Sequence, residues 1–469
     1  MATYGSFPGV RVTTQSGGIS SISIGSEEKI VVFGEASYDA SNNVEGDDTT
    51  LSVSASEPEQ INARREADAK FGGDSELAEG MKEALANGAN IDFLYGVAVP
   101  RVDVSDESFN GSASATGTLD NVEILENTDE ITTDSGSYTF EFRYDGAPAT
   151  PTEDDTVFLN PLTGEYSVTS GTVSTTGSTI DYTYSDYSTA FGASAVRNVV
   201  NEDETGVYVA LSDSDSVSSS LSGEVSTLRD NYQLVNAISV AEPNDSEVLD
   251  ATNTTAVNGG ANARYDAANY SNANQSVSQE FYYKFAPGRE ENFNKTIAGG
   301  VGGLFAGNPI SDPIYNDELT GYQSLQQSLS KSDADNLRAE DIIPVRDGGG
   351  IRVQGNRATN YSTSSTVAAD FWTRRITDRV ILIGKQVGDE IIGRINDDDT
   401  RSQAARLIRS EMRQLVQDRL IRANTDSETN WSVDVYEDST NDDEVNIDIA
   451  FSPYGIVKRV DETITVNTN

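Results

Sequence analysis

The 469-residue chain contains no cysteine and no histidine. Without a thiol or an imidazole there is no disulfide, no Ser-His-Asp triad, no Cys-His dyad and no zinc site built on those ligands. Carboxylates, guanidinium and ammonium groups and hydroxyls are what remain for chemistry. The missing cysteines leave the redox compartment open. Long apolar runs are also missing: nothing approaches the about 18 residues needed to span a bilayer. The opening residues Met1-Ala2-Thr3-Tyr4-Gly5-Ser6-Phe7-Pro8 lack a basic segment followed by an apolar one, so synthesis and use without Sec export is the expectation.

Positive charge is scarce. Against 76 Asp and Glu stand 32 Lys and Arg, a net charge of −44, which argues against general nucleic-acid binding and against attachment to anionic membranes. Lysine stands only at positions 29, 70, 82, 284, 295, 331, 385 and 458; every other cation is arginine. This pattern fits a surface adapted to molar salt, where dense carboxylates stay hydrated. At about 1 M ionic strength the Debye length is about 3 Å, so subunits this acidic can pack against copies of themselves. In dilute buffer their repulsion opposes assembly.

What is present is enough to fold. The length suggests roughly three structural units, and a 36% hydrophobic fraction gives lean but adequate cores. Recurrent apolar periodicity sets the chain apart from a disordered acidic protein. Phe7-Pro8-Gly9-Val10-Arg11-Val12 reads as extended and is followed by a Gly/Ser-rich connector, the pattern of an arm over residues 1–25. Ile30-Val31-Val32-Phe33-Gly34 reads as a strand buried on both faces. Residues 74–86, with Leu77, Met81 and Leu85 four apart, read as a helix stopped by Asn87-Gly88, and residues 91–100 as the next strand.

From 102 to 190 the character changes: no lysine, much Ser and Thr, and alternating runs such as Tyr138-Phe140-Phe142-Tyr144 and Ile180-Tyr182-Tyr184. This predicts an outward-facing β-sandwich inserted between two parts of one α/β core, 26–101 and 191–345. In the second part Val217, Leu221, Val225 and Leu228 mark a helix face, residues 234–240 and 279–285 read as strands, and 244–275 as loop.

Residues 346–455 form the last predicted domain, before an arm over 456–469. Ile376, Val380, Ile383 and Val387 predict an amphipathic helix over about 374–394, and a second helix runs over about 402–421. The alternating segments Trp431-Val433-Val435 and Val445-Ile447-Ile449-Phe451 predict two strands joined by an acidic turn. The fold class expected is therefore α+β multidomain: an α/β core, an inserted β-sandwich, and a C-terminal helix pair plus β-sheet with extended arms at both ends.

Few constellations carry chemistry. Gly299-Gly300-Val301-Gly302-Gly303-Leu304-Phe305-Ala306-Gly307 lacks the ending of a phosphate loop and reads as close helix packing. Asp397-Asp398-Asp399 has no EF-hand spacing and reads as a solvated loop. Accidental acid pairs are guaranteed in so acidic a chain, so a carboxylate-based glycosidase is a third, weak reading. Asn253-Thr254-Thr255 and Asn294-Lys295-Thr296 would be glycosylation acceptors only on an exported protein. No catalytic, cofactor or metal residue is assigned. More informative is the second C-terminal helix, where Arg406, Arg409 and Arg413 share a face opposite Ile408, Met412 and Leu415. Such a stripe suits an acidic partner, with pairing to the chain's own carboxylates as the alternative. Both termini are extended and apolar-patterned, the layout for adding strands to a neighbour's sheet edge, with closure onto the same subunit as the alternative.

The order of these pieces resembles the contractile tail sheath family of phages and related injection systems. The segments that carry it are 7–12, 30–36, 71–100, 299–307, Arg352-Val353-Gln354-Gly355-Asn356-Arg357-Ala358-Thr359, and the block 372–466 with Asn430-Trp431-Ser432-Val433-Asp434-Val435. The resemblance implies a non-enzymatic subunit without cofactors, stacked as hexameric rings around an inner tail tube and meeting baseplate and tail terminator proteins. Contraction would drive the tube through a cell envelope. It further implies inter-subunit strand exchange through Phe7, Pro8, Val10 and Val12 and through Val457, Val460, Ile464 and Val466. The receiving sheet would hold Trp431, Val433, Val435, Val445, Ile447 and Ile449, and Arg406, Arg409 and Arg413 would face the tube. With the salt-adapted composition, the expectation is a virion tail sheath of a halophilic archaeal virus, assembled in the host cytoplasm, or a related injection device. There it contacts neither nucleic acid nor membrane interior. The runner-up is a salt-adapted surface or adhesion protein with β-sandwich modules.

Overall fold

The computed structural model describes residues 28–39, 42–48, 51, 53–109, 116–125, 132–133, 139–142, 156–168, 178–201, 204–240, 281–285, 296–322, 329, 331–339, 341–347, 349–359, 370–441 and 443–455. Two compact units divide them. The larger holds residues up to Asn308 and Ile314–Phe371; the smaller holds Pro309–Pro313 and the residues from Trp372 onward.

In the larger unit, strand β1 (Lys29–Gly34) is followed by β2 (Pro58–Gln60), helices α1 (Arg65–Phe71) and α2 (Glu76–Ala86), and β3 (Leu94–Ala98). An insertion carries β4 (Arg101–Phe109), β5 (Thr116–Thr118), β6 (Thr132–Thr133), β7 (Thr139–Phe142), β8 (Thr156–Leu159), β9 (Glu165–Val168) and β10 (Ser178–Ser185). The chain then returns through α3 (Tyr187–Gly192), α4 (Ser194–Arg197), β11 (Thr205–Ala210), α5 (Asp215–Asp230), β12 (Leu234–Val240) and β13 (Tyr282–Phe285). Helices α6 (Ala298–Gly307) and α7 (Lys331–Ala339) and the hairpin of β14 (Val345–Asp347) and β15 (Ile351–Val353) complete it.

Six strands form the central sheet in the order β13-β12-β11-β1-β3-β2, parallel except for β2 at one edge. β1 lies in the middle, with Ile30 opposite both Val207 and Leu94. Ile30 and Val32 point into a core with Phe71, Leu77, Met81, Val301 and Phe305; Val31 and Phe33 point into another with Tyr187, Phe191, Leu221 and Val225. Both faces are covered, which is why this strand reads as an unbroken apolar run. On the second face Phe33 and Phe191 meet edge to face at 4.8 Å.

Helix α6 explains the glycine-rich segment. A Cβ added at Gly299 would stand 2.8 Å from Gly80 Cα, one at Gly303 2.8 Å from Ala84 Cα, and one at Gly307 2.7 Å from Gly88 Cα. The two helices therefore approach backbone to backbone, and four-residue spacing puts the small residues of each on one line.

The insertion contains two small sheets, β4-β10-β6 and β5-β9-β8-β7, whose inner residues Leu119, Ile124, Val157, Leu159, Tyr166, Val168, Ile180 and Tyr182 share one core. Within the second sheet β7 and β8 run parallel. Tyr187 and Ala190, assigned by sequence to the insertion, are buried in the second face of the central core, so the return to that core begins before residue 191.

The smaller unit consists of α8 (Phe371–Ile391, its first residue belonging to the larger unit), α9 (Asp398–Gln417), β16 (Trp431–Glu437) and β17 (Val445–Phe451). Its core joins Ile376, Val380, Ile383 and Val387 of α8 to Ala404, Ile408, Met412 and Leu415 of α9 and to Val433. The division at 371/372 differs from the predicted boundary at 346: Val345, Ile351 and Val353 of the β14–β15 hairpin belong to the larger unit's core. The acidic triplet is a helix start as well as a helix break. Asp397 caps α9 by accepting from Thr400 N at 2.8 Å, and Asp398 and Asp399 sit in its first turn, where the helix dipole favours negative charge.

Candidate interaction surfaces

The parallel sheet reverses its winding between β1 and β11, the crevice where open α/β sheets commonly take ligands at the carboxyl ends of their strands. In this protein the chain fills that place itself. Ser212 Oγ, just beyond β11, donates to Glu123 of the insertion, and Ser214 Oγ donates to the Leu162 carbonyl at 3.1 Å. Beyond β1, Glu35 accepts from Ser185 Oγ at 2.6 Å, while Ser185 N donates to Glu123 O at 3.0 Å. Burial, reinforced by Glu76, Glu123, Glu35 and Asp213, pushes the Tyr187 hydroxyl well up. Among the described residues no group of three carboxylates is placed to hold a metal ion, and no helix is long and apolar enough to cross a membrane.

The C-terminal hairpin is different. β16 and β17 pair antiparallel with Trp431 opposite Phe451, Val433 opposite Ile449, Val435 opposite Ile447 and Glu437 opposite Val445. Alternation puts Trp431, Val433, Val435, Ile447, Ile449 and Phe451 on the helix-facing side, against the core of the smaller unit. Val445 shares that side at the turn end but lies outside the cluster. The opposite side carries Asp434, Tyr436 and Asp448, all exposed, with Asp434 directly across from Asp448. Tyr436 OH donates to Asp448 Oδ2 at 2.8 Å, and this bond with the surrounding acids raises the Tyr436 pKa.

The connecting turn is fastened by Asp438, whose carboxylate accepts from Thr440 Oγ1 at 2.6 Å, Asn446 Nδ2 at 2.9 Å and Thr440 N at 2.8 Å. These bonds push its pKa down to about 2. Because the folded value lies below the ordinary one, the turn gains stability above the ordinary carboxylate pKa and loses it as pH falls through about 2. A carboxyl NMR titration is expected to place the Asp438 midpoint near 2, and the double variant Thr440→Val/Asn446→Ala to return it toward the usual range.

On α9, Ile408, Met412 and Leu415 are buried and Arg406 and Arg413 are exposed, as the spacing requires. Arg409, at the margin of the stripe, turns toward the hairpin and donates from NH2 to the Val433 carbonyl at 2.7 Å. Among the described residues no carboxylate forms an ion pair with Arg406, Arg413, Arg419 or Arg422, although the helix N-terminus has one in Arg401, paired with Asp398 at 2.5 Å and Glu437 at 3.2 Å. Two arginines on the helix and two just after it thus have no carboxylate partner among the described residues, in a chain of charge −44. Phe7, Pro8, Val10, Val12, Val457, Val460, Ile464 and Val466 all lie outside the described residues.

Sequence reasoning missed Asn424, in the segment between α9 and β16. Its side chain donates to Trp431 O at 2.9 Å and accepts from Trp431 N at 2.8 Å and Asn430 N at 2.6 Å, an amide standing where a neighbouring strand would stand. No local pattern announces this, because it depends on how the loop folds back.

A mixed α/β unit with an insertion, joined to a helix-pair and hairpin unit, is the fold of contractile sheath proteins. Over 98% of this chain and 99% of the other, it is similar to the helical sheath of the anti-feeding prophage in its contracted state, with 11% identity and a TM-score of 0.58. The sheath complex of the extracellular contractile injection system PVC, also contracted, matches over 99% and 98% with 12% identity and a TM-score of 0.54. A sheath tail protein from Listeria innocua matches over 92% and 93% with 13% identity and a TM-score of 0.50. No family model and no curated protein sequence matches the chain.

Proposed function

We propose that this chain is the structural, non-enzymatic subunit of a contractile sheath, polymerising as stacked hexameric rings around an inner tube and shortening to drive that tube through a cell envelope. The observation that carries the reading is that the likeness to sheath subunits runs over nearly the whole of both chains, insertion and C-terminal unit included. Sealing of the switch-point crevice by the chain's own insertion supports a non-catalytic role. Both arms, residues 3–12 and 457–466, add strands to the hairpin sheets of neighbouring copies. Subunits thereby stay linked while they rotate and slide, and a contracted packing that buries more surface than the extended one supplies the driving energy. Baseplate and terminator proteins close the ends of the particle.

Arg406 and Arg413 face the tube, whose surface is acidic where they meet it. Arg409, held by Val433 O, positions the helix on the hairpin. The excess of carboxylates and the rarity of lysine favour a particle working in molar salt, the tail of a haloarchaeal virus. Electron microscopy of the purified protein in high salt is the primary test: striated helical tubes are expected, and discrete particles that never polymerise would overturn the reading. For the tube contact, Arg406→Glu/Arg413→Glu is expected to leave folding and empty-sheath formation intact while abolishing co-assembly with the tube protein in a pull-down. Undiminished co-assembly would remove the tube assignment.

A further inference from the structure

The turn between α8 and α9 leaves two large apolar side chains in water: Ile392 is 52% exposed and Ile395 78%. One exposed isoleucine is ordinary; two within four positions, in a unit whose core already closes on Ile383, Val387 and Ile408, form a patch. Carboxylates surround it. Asn396 Nδ2 donates to the Glu444 carbonyl at 3.4 Å and Arg401 pairs with Glu437 at 3.2 Å, so the helix turn and the hairpin turn make one end of the smaller unit. Residues 389–401 and 437–444 together hold ten carboxylates and two arginines. Both arginines are taken, Arg394 by Glu390 at 3.8 Å and Arg401 by Asp398 and Glu437, while Asp399, Asp443 and Glu444 stay exposed.

The other end of the unit is its complement. α9, with 20 residues, is about 30 Å long, and beyond its far end Arg419 and Arg422 are exposed, with no carboxylate partner among the described residues. Arg422 N donates to Ser452 O at 2.9 Å and Tyr454 N to Leu420 O at 3.0 Å, which seats Tyr454, 42% exposed, beside this pair. Residues 413–428 hold three arginines and three carboxylates, so this end is formally neutral in a chain of charge −44. Exposed isoleucines ringed by acids fit a surface that offers apolar area and free cations. Two such turns set against each other would oppose like charges, which disfavours symmetric pairing. We infer that the Ile392–Ile395 turn of one copy docks on the Arg419, Arg422 and Tyr454 end of another. The contact is heterologous: each copy gives one end and receives at the other, and the length of α9 keeps a copy from closing it on itself. The inference rests on the polymerising-subunit reading and deepens it by naming a contact that uses neither arm. In high salt the screened charges orient the two ends, and burial of the isoleucines carries the affinity.

The absence of natural cysteine makes a direct test clean. A chain carrying Ile395→Cys and Tyr454→Cys is polymerised in high salt, treated with a bismaleimide much shorter than α9, and run on a denaturing gel. A ladder of covalent multimers is expected from this double variant, and monomer alone from I395C or from Y454C. No ladder from a sample that forms tubes, or a dimer from I395C alone, overturns the inference and leaves the sheath reading in place. A ladder without tubes keeps the contact and removes the sheath reading; if the wild type forms no tubes and the double variant no ladder, both fall. Should the cysteine chain neither assemble nor cross-link where the wild type forms tubes, two charge variants decide: Arg419→Glu/Arg422→Glu and Asp443→Arg/Glu444→Arg, each with an unchanged circular dichroism spectrum. At the lowest salt that supports wild-type tubes, each alone is expected to need at least about tenfold more protein to polymerise. Their equimolar mixture is expected to recover, because each then meets its opposite charge at both ends. Either variant polymerising alone like the wild type, or a mixture as poor as its components, overturns the inference.

Discussion

A chain ending at residue 455 is expected to fold, to keep its circular dichroism spectrum, and to remain monomeric in high salt where the full chain forms tubes. The last described residues show why folding survives: Trp372 Nε1 donates to the Tyr454 carbonyl at 3.1 Å and Tyr454 N to Leu420 O at 3.0 Å, so the smaller unit is closed before the arm begins. Assembly should not survive. Each backbone bond across a strand edge contributes about 0.5–1.5 kcal/mol net, and each valine or isoleucine buried at a neighbour about 1.5–3 kcal/mol. Loss of a whole arm removes several of each from every subunit. Since a ring is closed only when every joint holds, sedimentation should show a complete loss of polymer. Tubes of normal yield from the shortened chain would exclude exchange through this arm.

The second large effect concerns α2 and α6. Gly303→Leu is expected to leave no soluble folded protein, because the added carbon atoms meet the backbone at Ala84, which has no rotamer to yield. Overpacking a core commonly costs about 1–3 kcal/mol when side chains adjust; at a backbone contact the helices must part, and total stability is only about 5–15 kcal/mol. Gly388→Ala makes the matched control. A Cβ there has no neighbour within 4 Å, and the exchange of glycine for alanine inside helix α8 should stabilise by about 1 kcal/mol. Thermal melts followed by circular dichroism measure both; a Gly303→Leu chain melting near the wild-type temperature would refute the packing argument.

Where a segment's own pattern determines its neighbours, the sequence was legible. Ile30-Val31-Val32-Phe33 needs two apolar layers and has them, and Leu77 and Met81 lie where their spacing puts them. The glycine run points to close packing and is packed closely. Legibility ended where the answer lies in a distant segment. Ile351 and Val353 look the same whichever core they enter, which is why the boundary predicted at 346 falls instead at 371/372. Three consecutive aspartates read as solvated and are exposed, but their spacing does not tell that the first of them caps the helix that follows. The arginine stripe on α9 is visible as a face, yet spacing alone does not reveal that Arg409 is drawn to Val433 while Arg406 and Arg413 have no ion pair among the described residues. Asn424 was invisible for the same reason: an asparagine in a loop carries no mark of the strand edge it closes.

The insertion leaves the central sheet through β3 and β4 and comes back through β10 and α3, with Asp186 N bonded to Pro100 O at 2.9 Å where the two strands part from the core. Two adjacent covalent connections alone would make that root a swivel. The clasp of Ser212 on Glu123 and Ser214 on Leu162 adds a third, separate point of attachment. The insertion is thus anchored beyond the ends of β1 and β11, by Glu35 with Ser185 and by Ser212 with Glu123, as well as through the strands that carry it.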